Sequence, residues 1–190
     1  MKFQQVYCVL DTEFRLLWVG GDWDEFALSN GGSGAVANRV LSTSLLEHIS
    51  DDETRQAVLD MVKAVQDAHE PLRLIYRCDS PHMQRLFMLT IQPMKETRVL
   101  MVHDLQDAVS FPEPLRPWQV SPEATACKCS FCGAVKQSGD IWRAVEALPF
   151  PHPEKVAYTV CPDCMERVHQ AISAVRNQST LALRPSNRKD

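Results

Sequence analysis

Three runs decide the fold: Leu72-Arg-Leu-Ile-Tyr-Arg-Cys78, Arg85-Leu-Phe-Met-Leu-Thr-Ile-Gln-Pro93 and Arg98-Val-Leu-Met-Val-His-Asp104. Each is rich in aliphatic, aromatic or β-branched residues and is bounded by polar or turn-forming ones, the pattern of strands. The connections Asp79-Ser-Pro-His82 and Met94-Lys-Glu-Thr97 are too short for a helical crossover, so the runs predict an antiparallel meander. Immediately upstream, residues 52–69 carry Ala57, Val58, Met61, Val62 and Val65 at helical spacing, the stripe of an amphipathic helix. Asp51 or Asp52 can cap it, Glu53 suits its positive end, and Pro71 stops it.

Nearer the start, residues 5–11 and 14–19 are short apolar runs joined by Asp11-Thr-Glu, which predicts a hairpin. Gly20-Gly21 is expected to break its second strand, and Asp22 to cap a short helix through Trp23, Phe26 and Ala27. Asn30-Gly-Gly-Ser-Gly34 reads as a flexible loop, and residues 41–49 as one or two short helical turns.

Two strands, short helices, one longer helix and three strands is the order of elements in the PAS family of sensor domains, which residues 4–106 resemble. Val9-Leu10-Asp11-Thr12-Glu13-Phe14-Arg15-Leu16 is similar to the family's opening hairpin, and Trp23-Asp-Glu-Phe26-Ala27 to its following helix. Leu41-Ser-Thr-Ser-Leu-Leu-Glu-His-Ile-Ser50 resembles the next step, with Ser42 where glycine is common. The resemblance implies a five-stranded antiparallel sheet with helices over one face, a cavity that takes an unidentified small ligand, and homodimerisation. A flavin photoreceptor of the related kind needs an Asn-Cys-Arg motif, which Ala37-Asn38-Arg39 lacks.

Further along stand Cys129-Ser-Phe-Cys132 and, 28 residues later, Cys161-Pro-Asp-Cys164. Two residues between paired cysteines let one tight turn aim both sulfurs at a single ion, and structural zinc takes four such ligands at roughly 2.3 Å. Gly133 permits a left-handed turn after the first pair, and Pro162 suits the first turn of a helix in which Met165, Val168, Ile172 and Val175 recur at helical spacing. Cys129, Cys132, Cys161 and Cys164 therefore read as a structural Zn2+ site. A thioredoxin-type redox centre needs one pair rather than two, and a disulfide framework suits a secreted chain. Cys127 reads as a spare solvent-facing thiol. The segment also resembles short zinc-ribbon-like modules of some bacterial PAS and response-regulator proteins, through the two cysteine pairs and Trp142-Arg-Ala-Val-Glu146. It departs from them at Tyr158, near where those modules often carry histidine. Trp142 and Glu146 are expected to be packing and surface residues.

The fold class expected is thus α+β: a PAS-like domain over 1–108, a proline-rich linker over 109–125, a four-cysteine zinc module over 126–178 ending in a helix, and a flexible tail over 179–190. Phe111, Leu115 and Trp118 could instead make the linker a strap packed on the sheet.

Apolar residues at 45% and charged residues at 23% describe a globular chain. With no apolar signal segment and seven cysteines, the reading places it in a reducing cytoplasm without a membrane span. The net charge of −4 divides unevenly. Residues 1–114 hold ten Lys/Arg and seventeen Asp/Glu, or −7; residues 115–190 hold ten and seven, or +3. Four thiolates around Zn2+ would lower the second value to about +1, and only Arg184-Pro-Ser-Asn-Arg188-Lys189 is locally basic. Counterion release requires a clustered basic face, so nucleic acid is not the expected partner.

No nucleophile elbow, phosphate-binding glycine loop or kinase signature is present, and no enzymatic activity is expected. His48 is the weak candidate for a haem ligand; His69, at the C-terminal end of the long helix, would suit the helix dipole, and His82 and His103 have no identifiable partner. Cys8 and Cys78 are expected to pack in strands, while Arg73, Arg77 or Arg85 could meet a ligand carboxylate. The function expected is a signal-transduction sensor or adaptor acting through a signalling protein partner. A zinc-ribbon regulator contacting nucleic acid and a thiol-zinc redox switch are the alternatives.

Overall fold

The computed structural model describes residues 5–115, 118–137, 139–148 and 152–182. The basic stretch at Arg184, Arg188 and Lys189 lies outside them, as does Pro117 of the expected linker. The opening hairpin forms from β1 (Gln5–Leu10) and β2 (Leu16–Gly21). Its turn is closed by the Asp11 carboxylate, which accepts from the backbone N–H groups of Glu13 and Arg15, and Phe14 takes a left-handed φ of 63°. Helices α1 (Trp23–Ser29) and α2 (Ala37–Val40) follow, then a 3-10 turn at Leu45–His48 and the long α3 (Asp52–Ala68). The meander comprises β3 (Leu72–Arg77), β4 (Met83–Pro93) and β5 (Val99–Ser110).

These strands make one antiparallel sheet in the order β2-β1-β5-β4-β3. Alternation sends Cys8, Leu10, Leu74, Leu89, Ile91, Val99 and Met101 to one face, where they meet Ala57, Met61, Val62, Ala64 and Val65 of α3. Burying each larger side chain contributes about 1.5–3 kcal/mol. The Asp51 carboxylate caps α3 by accepting from Thr54 N–H at 2.7 Å, and His69 ends the helix in the left-handed conformation. The structure thus has the mixed α+β architecture expected, with a five-stranded antiparallel sheet, flanking helices and a four-cysteine cluster before the last helix.

Local expectations fail in four places. Gly20 and Gly21 continue β2 rather than break it. Gly20 lies beneath the Tyr7 ring, where a Cβ would come within 2.4 Å of the hydroxyl, so glycine here serves close approach. Asp22 stands at the start of α1 without a side-chain capping bond, its carboxylate accepting instead from Gln5 N–H at 3.3 Å. β5 runs six residues past Asp104 because it pairs with β4 as far as Met83↔Ser110, across a bulge at Leu86/Phe87. Phe111, Leu115 and Trp118 pack not on the sheet but against Val135, Val145 and Leu148 of the cysteine-bearing segment.

A second, four-stranded sheet has the order β6-β9-β7-β8, from β6 (Gln119–Val120), β7 (Cys127–Cys129), β8 (Val135–Lys136) and β9 (Lys155–Thr159). It leads into α4 (Pro162–Ala182). Val168, Ile172 and Val175 of α4 share a continuous buried cluster with Met61 and Leu72, so α4 lies along α3. Among the described residues no helix is long and apolar enough to cross a membrane.

Candidate metal centre and its attachment to the sheet

Each cysteine pair sits where a strand gives way to a turn. Cys129 ends β7; Cys129 N–H donates to Ala134 O at 2.8 Å and Gly133 N–H to Cys129 O at 3.0 Å, a tight loop closed by the left-handed Gly133 at φ 73°. Cys161 follows β9, and Cys164 N–H and Met165 N–H both donate to its carbonyl at 3.0 Å as Pro162 opens α4. Parallel pairing of β7 with β9 sets Cys129 opposite Thr159, bringing the two turns side by side despite the long insertion between them.

The sulfurs of Cys129, Cys132, Cys161 and Cys164 consequently lie within 4.8 Å of one another. The Cys132–Cys161 separation is 3.7 Å, close to the edge of about 3.8 Å that tetrahedral Zn–S bonds of ~2.3 Å require. Four cysteines at this spacing could hold a metal ion such as zinc, and a complete thiolate set leaves no position for a reacting water. Cys161 N–H donates to Cys129 Sγ at 3.3 Å and the Arg167 guanidinium to Cys164 Sγ at 2.8 Å. Such donors orient metal-binding thiolates and spread their charge. As bare thiols the four would not be equivalent. Hydrogen bonds from Cys132 and Cys164 hold Cys129 far below the usual thiol range, while the contact with Cys129 pushes Cys132 up to about 12. Cys164 is raised by its hydrogen bonds with Cys129 and Cys132.

The cluster is fastened to the large sheet and to α3. Phe131 O accepts from Arg77 N–H of edge strand β3 at 2.7 Å, and Arg167 reaches from Cys164 to Ile75 O at 3.4 Å. At the N-terminus of α3, Asp51 accepts from Ser130 Oγ at 3.3 Å, and Glu53 accepts from Val160 N–H at 3.1 Å and from the Thr159 hydroxyl. The Arg77 guanidinium also joins Asp79 at 2.6 Å to Glu146 at 2.8 Å. Burial would raise the Glu146 carboxyl, but hydrogen bonds from its own N–H and from Arg77 hold it below the usual range. Glu146, expected as a surface helix residue, is exposed and also serves as an anchor between segments. Its 3-10 turn, Val145–Ala147, has no periodicity to announce that.

Other candidates fall away from the cluster. Cys127 is half-buried on β7, and Tyr158 on β9 pairs with Lys128. Trp142 is half-buried, with the Lys136 ammonium 5.5 Å from its ring centroid. Burial pushes the Cys8 thiol up to about 12 and also raises Cys78, the behaviour of packing thiols. His48 is exposed and its Nε2 bonds Thr43 Oγ1 at 2.6 Å. Arg73 is exposed; Arg85, 9% exposed, donates to Cys78 O and to Asn30 Oδ1. His103, for which the sequence offered no partner, shares a 2.8 Å hydrogen bond with the Tyr76 hydroxyl. It lines a cleft of about 310 Å3 between α1 and the sheet.

Fold and site together define a mixed α+β protein in which a four-cysteine cluster is bonded to the edge of a five-stranded antiparallel sheet. No family model matches the chain, and no curated protein matches it.

Proposed function

We propose that this protein is a non-enzymatic signal-transduction adaptor. A PAS-like half receives a small molecule, and the zinc-held module passes that half's state to a signalling protein partner. The observation that carries this reading is the double attachment of the cysteine cluster, to the β3 edge through Phe131 and Arg167 and to the α3 N-terminus through Ser130, Thr159 and Val160. A displacement of the sheet or of α3 must shift or break these bonds, so two arrangements of the sheet would present two arrangements of the module. The order of strands and helices and the left-handed Ser42, where the PAS resemblance has glycine, support the PAS-like half of the proposal. A closed thiolate set supports a structural rather than catalytic metal.

Native and denaturing mass spectra of the freshly purified chain test this reading. The expected result is one zinc per chain, lost in a Cys132→Ser/Cys164→Ser variant, together with a noncovalent small-molecule mass and a homodimer. A chain that carries no metal and no small molecule, with its cysteines oxidised in pairs, would overturn it.

A further inference from the structure

The cleft under α1 has apolar walls from Val6, Trp23, Phe26, Ala35 and Tyr76, and a volume at the low end of the ~300–1,000 Å3 typical of small-molecule sites. Its polar side chains are nearly all committed. Trp23 Nε1–H donates to Ala35 O at 2.8 Å. Asn30 uses both ends of its amide, Nδ2 donating to Phe26 O at 2.7 Å and Oδ1 accepting from Arg85 at 2.8 Å. The Tyr76 hydroxyl and His103 Nδ1 share one hydrogen bond.

His103 Nε2 is what remains. Among the described residues it makes no hydrogen bond, and Thr54 Oγ1 is the buried side-chain polar atom without a partner. Nε2 is therefore not sealed in the core, and His103 lines the cleft. Its chemistry follows from the other ring nitrogen. A neutral phenol is a better donor than acceptor toward imidazole, so Tyr76 O–H donates to Nδ1 and the ring proton resides on Nε2. Burial keeps both partners uncharged, raising Tyr76 well above its usual range and pushing His103 down to about 4. The cleft thus presents flat aromatic walls and one neutral N–H donor. The nearby Arg85 guanidinium is engaged by Cys78 O and Asn30 and lies 5.0 Å from the centroid of the Phe26 ring.

We infer that this cleft binds a small, uncharged, planar aromatic molecule of one or two rings bearing a single hydrogen-bond acceptor, which His103 Nε2–H receives while Trp23, Phe26 and Tyr76 cover the ring faces. The inference rests on the sensor reading of the sheet half and gives its ligand a chemical class. A carboxylate is disfavoured because, among the described residues lining the cleft, no cation is free to pair with it, and a purely hydrocarbon ligand would leave the Nε2–H unpaired.

Calorimetric titration of the full-length, zinc-loaded protein with quinoline, naphthalene and benzoate tests it. Quinoline is expected to bind about tenfold more tightly than naphthalene, the worth of one buried hydrogen bond, with benzoate weakest. In His103→Leu the preference for quinoline over naphthalene is expected to vanish while naphthalene binding persists. Tyr76→Phe, which keeps the ring stacked on Phe87 at 5.5 Å but frees Nδ1, is expected to shrink the preference even if the leucine variant folds poorly. Equal affinity for the two bicyclic probes, or tightest binding of benzoate, would overturn the ligand class. If no probe binds but the native mass spectrum carries a co-purified non-aromatic molecule, the class falls and the sensor reading stands. If no probe binds and no small molecule is found, both fall.

Discussion

Ser42 adopts φ 68° and donates its N–H to Leu16 O at 2.8 Å, tying the loop after α2 to β2. A side chain in the left-handed region costs roughly 1–2 kcal/mol, part of which glycine would return as added chain entropy in the unfolded state. Ser42→Gly is therefore expected to stabilise the protein by about 0.5–1 kcal/mol, read as a shift in the urea midpoint; a loss of stability would show that the hydroxyl, not the backbone, matters there. His103 makes the opposite point. Its imidazole stays neutral down to about pH 4 in the folded chain, whereas an unfolded chain takes up the proton near 6.5. Folding stability from this group is thus complete above pH 6.5 and lost as the pH falls from 6.5 to about 4, by up to about 3 kcal/mol. The decline should be shallower in His103→Gln, measured beside the parent chain so that other titrations cancel; parallel curves would mean that the buried imidazole carries no such linkage. The sequence placed Ser42 through a family pattern and offered nothing for His103, because strand alternation alone does not say which residue from a strand some 27 positions away will face it.

At the scale of elements, α3 was legible from its stripe and its cap, and β1 to β4 from their apolar runs. The outer half of β5 was not, since Asp104, Gln106 and Asp107 give a polar, partly exposed strand with no alternation to detect. The cysteine turns were legible because C-x-x-C spacing is a local geometric requirement, whereas the partners of those turns lie far away in the chain. The first turn of α3 illustrates the difference. Asp51 was readable as a helix cap, but one of its oxygens holds Thr54 N–H while the other accepts from Ser130, in the first cysteine turn. Asp51→Ala is expected to cost about 1–2 kcal/mol, the value of a lost N-cap, with further loss from the severed Ser130 contact. Asp51→Asn can still accept at the helix end and should recover most of it. Thermal unfolding of the two variants separates the roles; equal destabilisation would mean that the carboxylate charge, not the cap, sets the effect.

For the molecule as a whole, one buried cluster runs from the sheet through α3 and α4 to Cys129, Cys161 and Cys164, so the cysteine cluster and the large sheet are not separate in packing. With a metal bound as proposed, its removal would leave the four sulfurs as mutually crowded thiols, free to separate, and the first bonds to loosen are those the turns make outward. Two amides report this: Arg77 N–H, held by Phe131 O at 2.7 Å, and Val160 N–H, held by Glu53 at 3.1 Å. Leu89, in a strand paired on both sides, reports the middle of the sheet. Zinc binding to thiolate sites is worth up to about 10–16 kcal/mol, comparable with the whole stability of a domain, yet α3 and the sheet bury a large apolar face of their own. Hydrogen exchange after chelation under reducing conditions is therefore expected to accelerate strongly at Arg77 and Val160 and little at Leu89. Equal acceleration at all three would make the ion a condition for the entire fold, and unchanged protection at Arg77 would disconnect the cysteine cluster from the sheet edge and remove the route by which either half could influence the other.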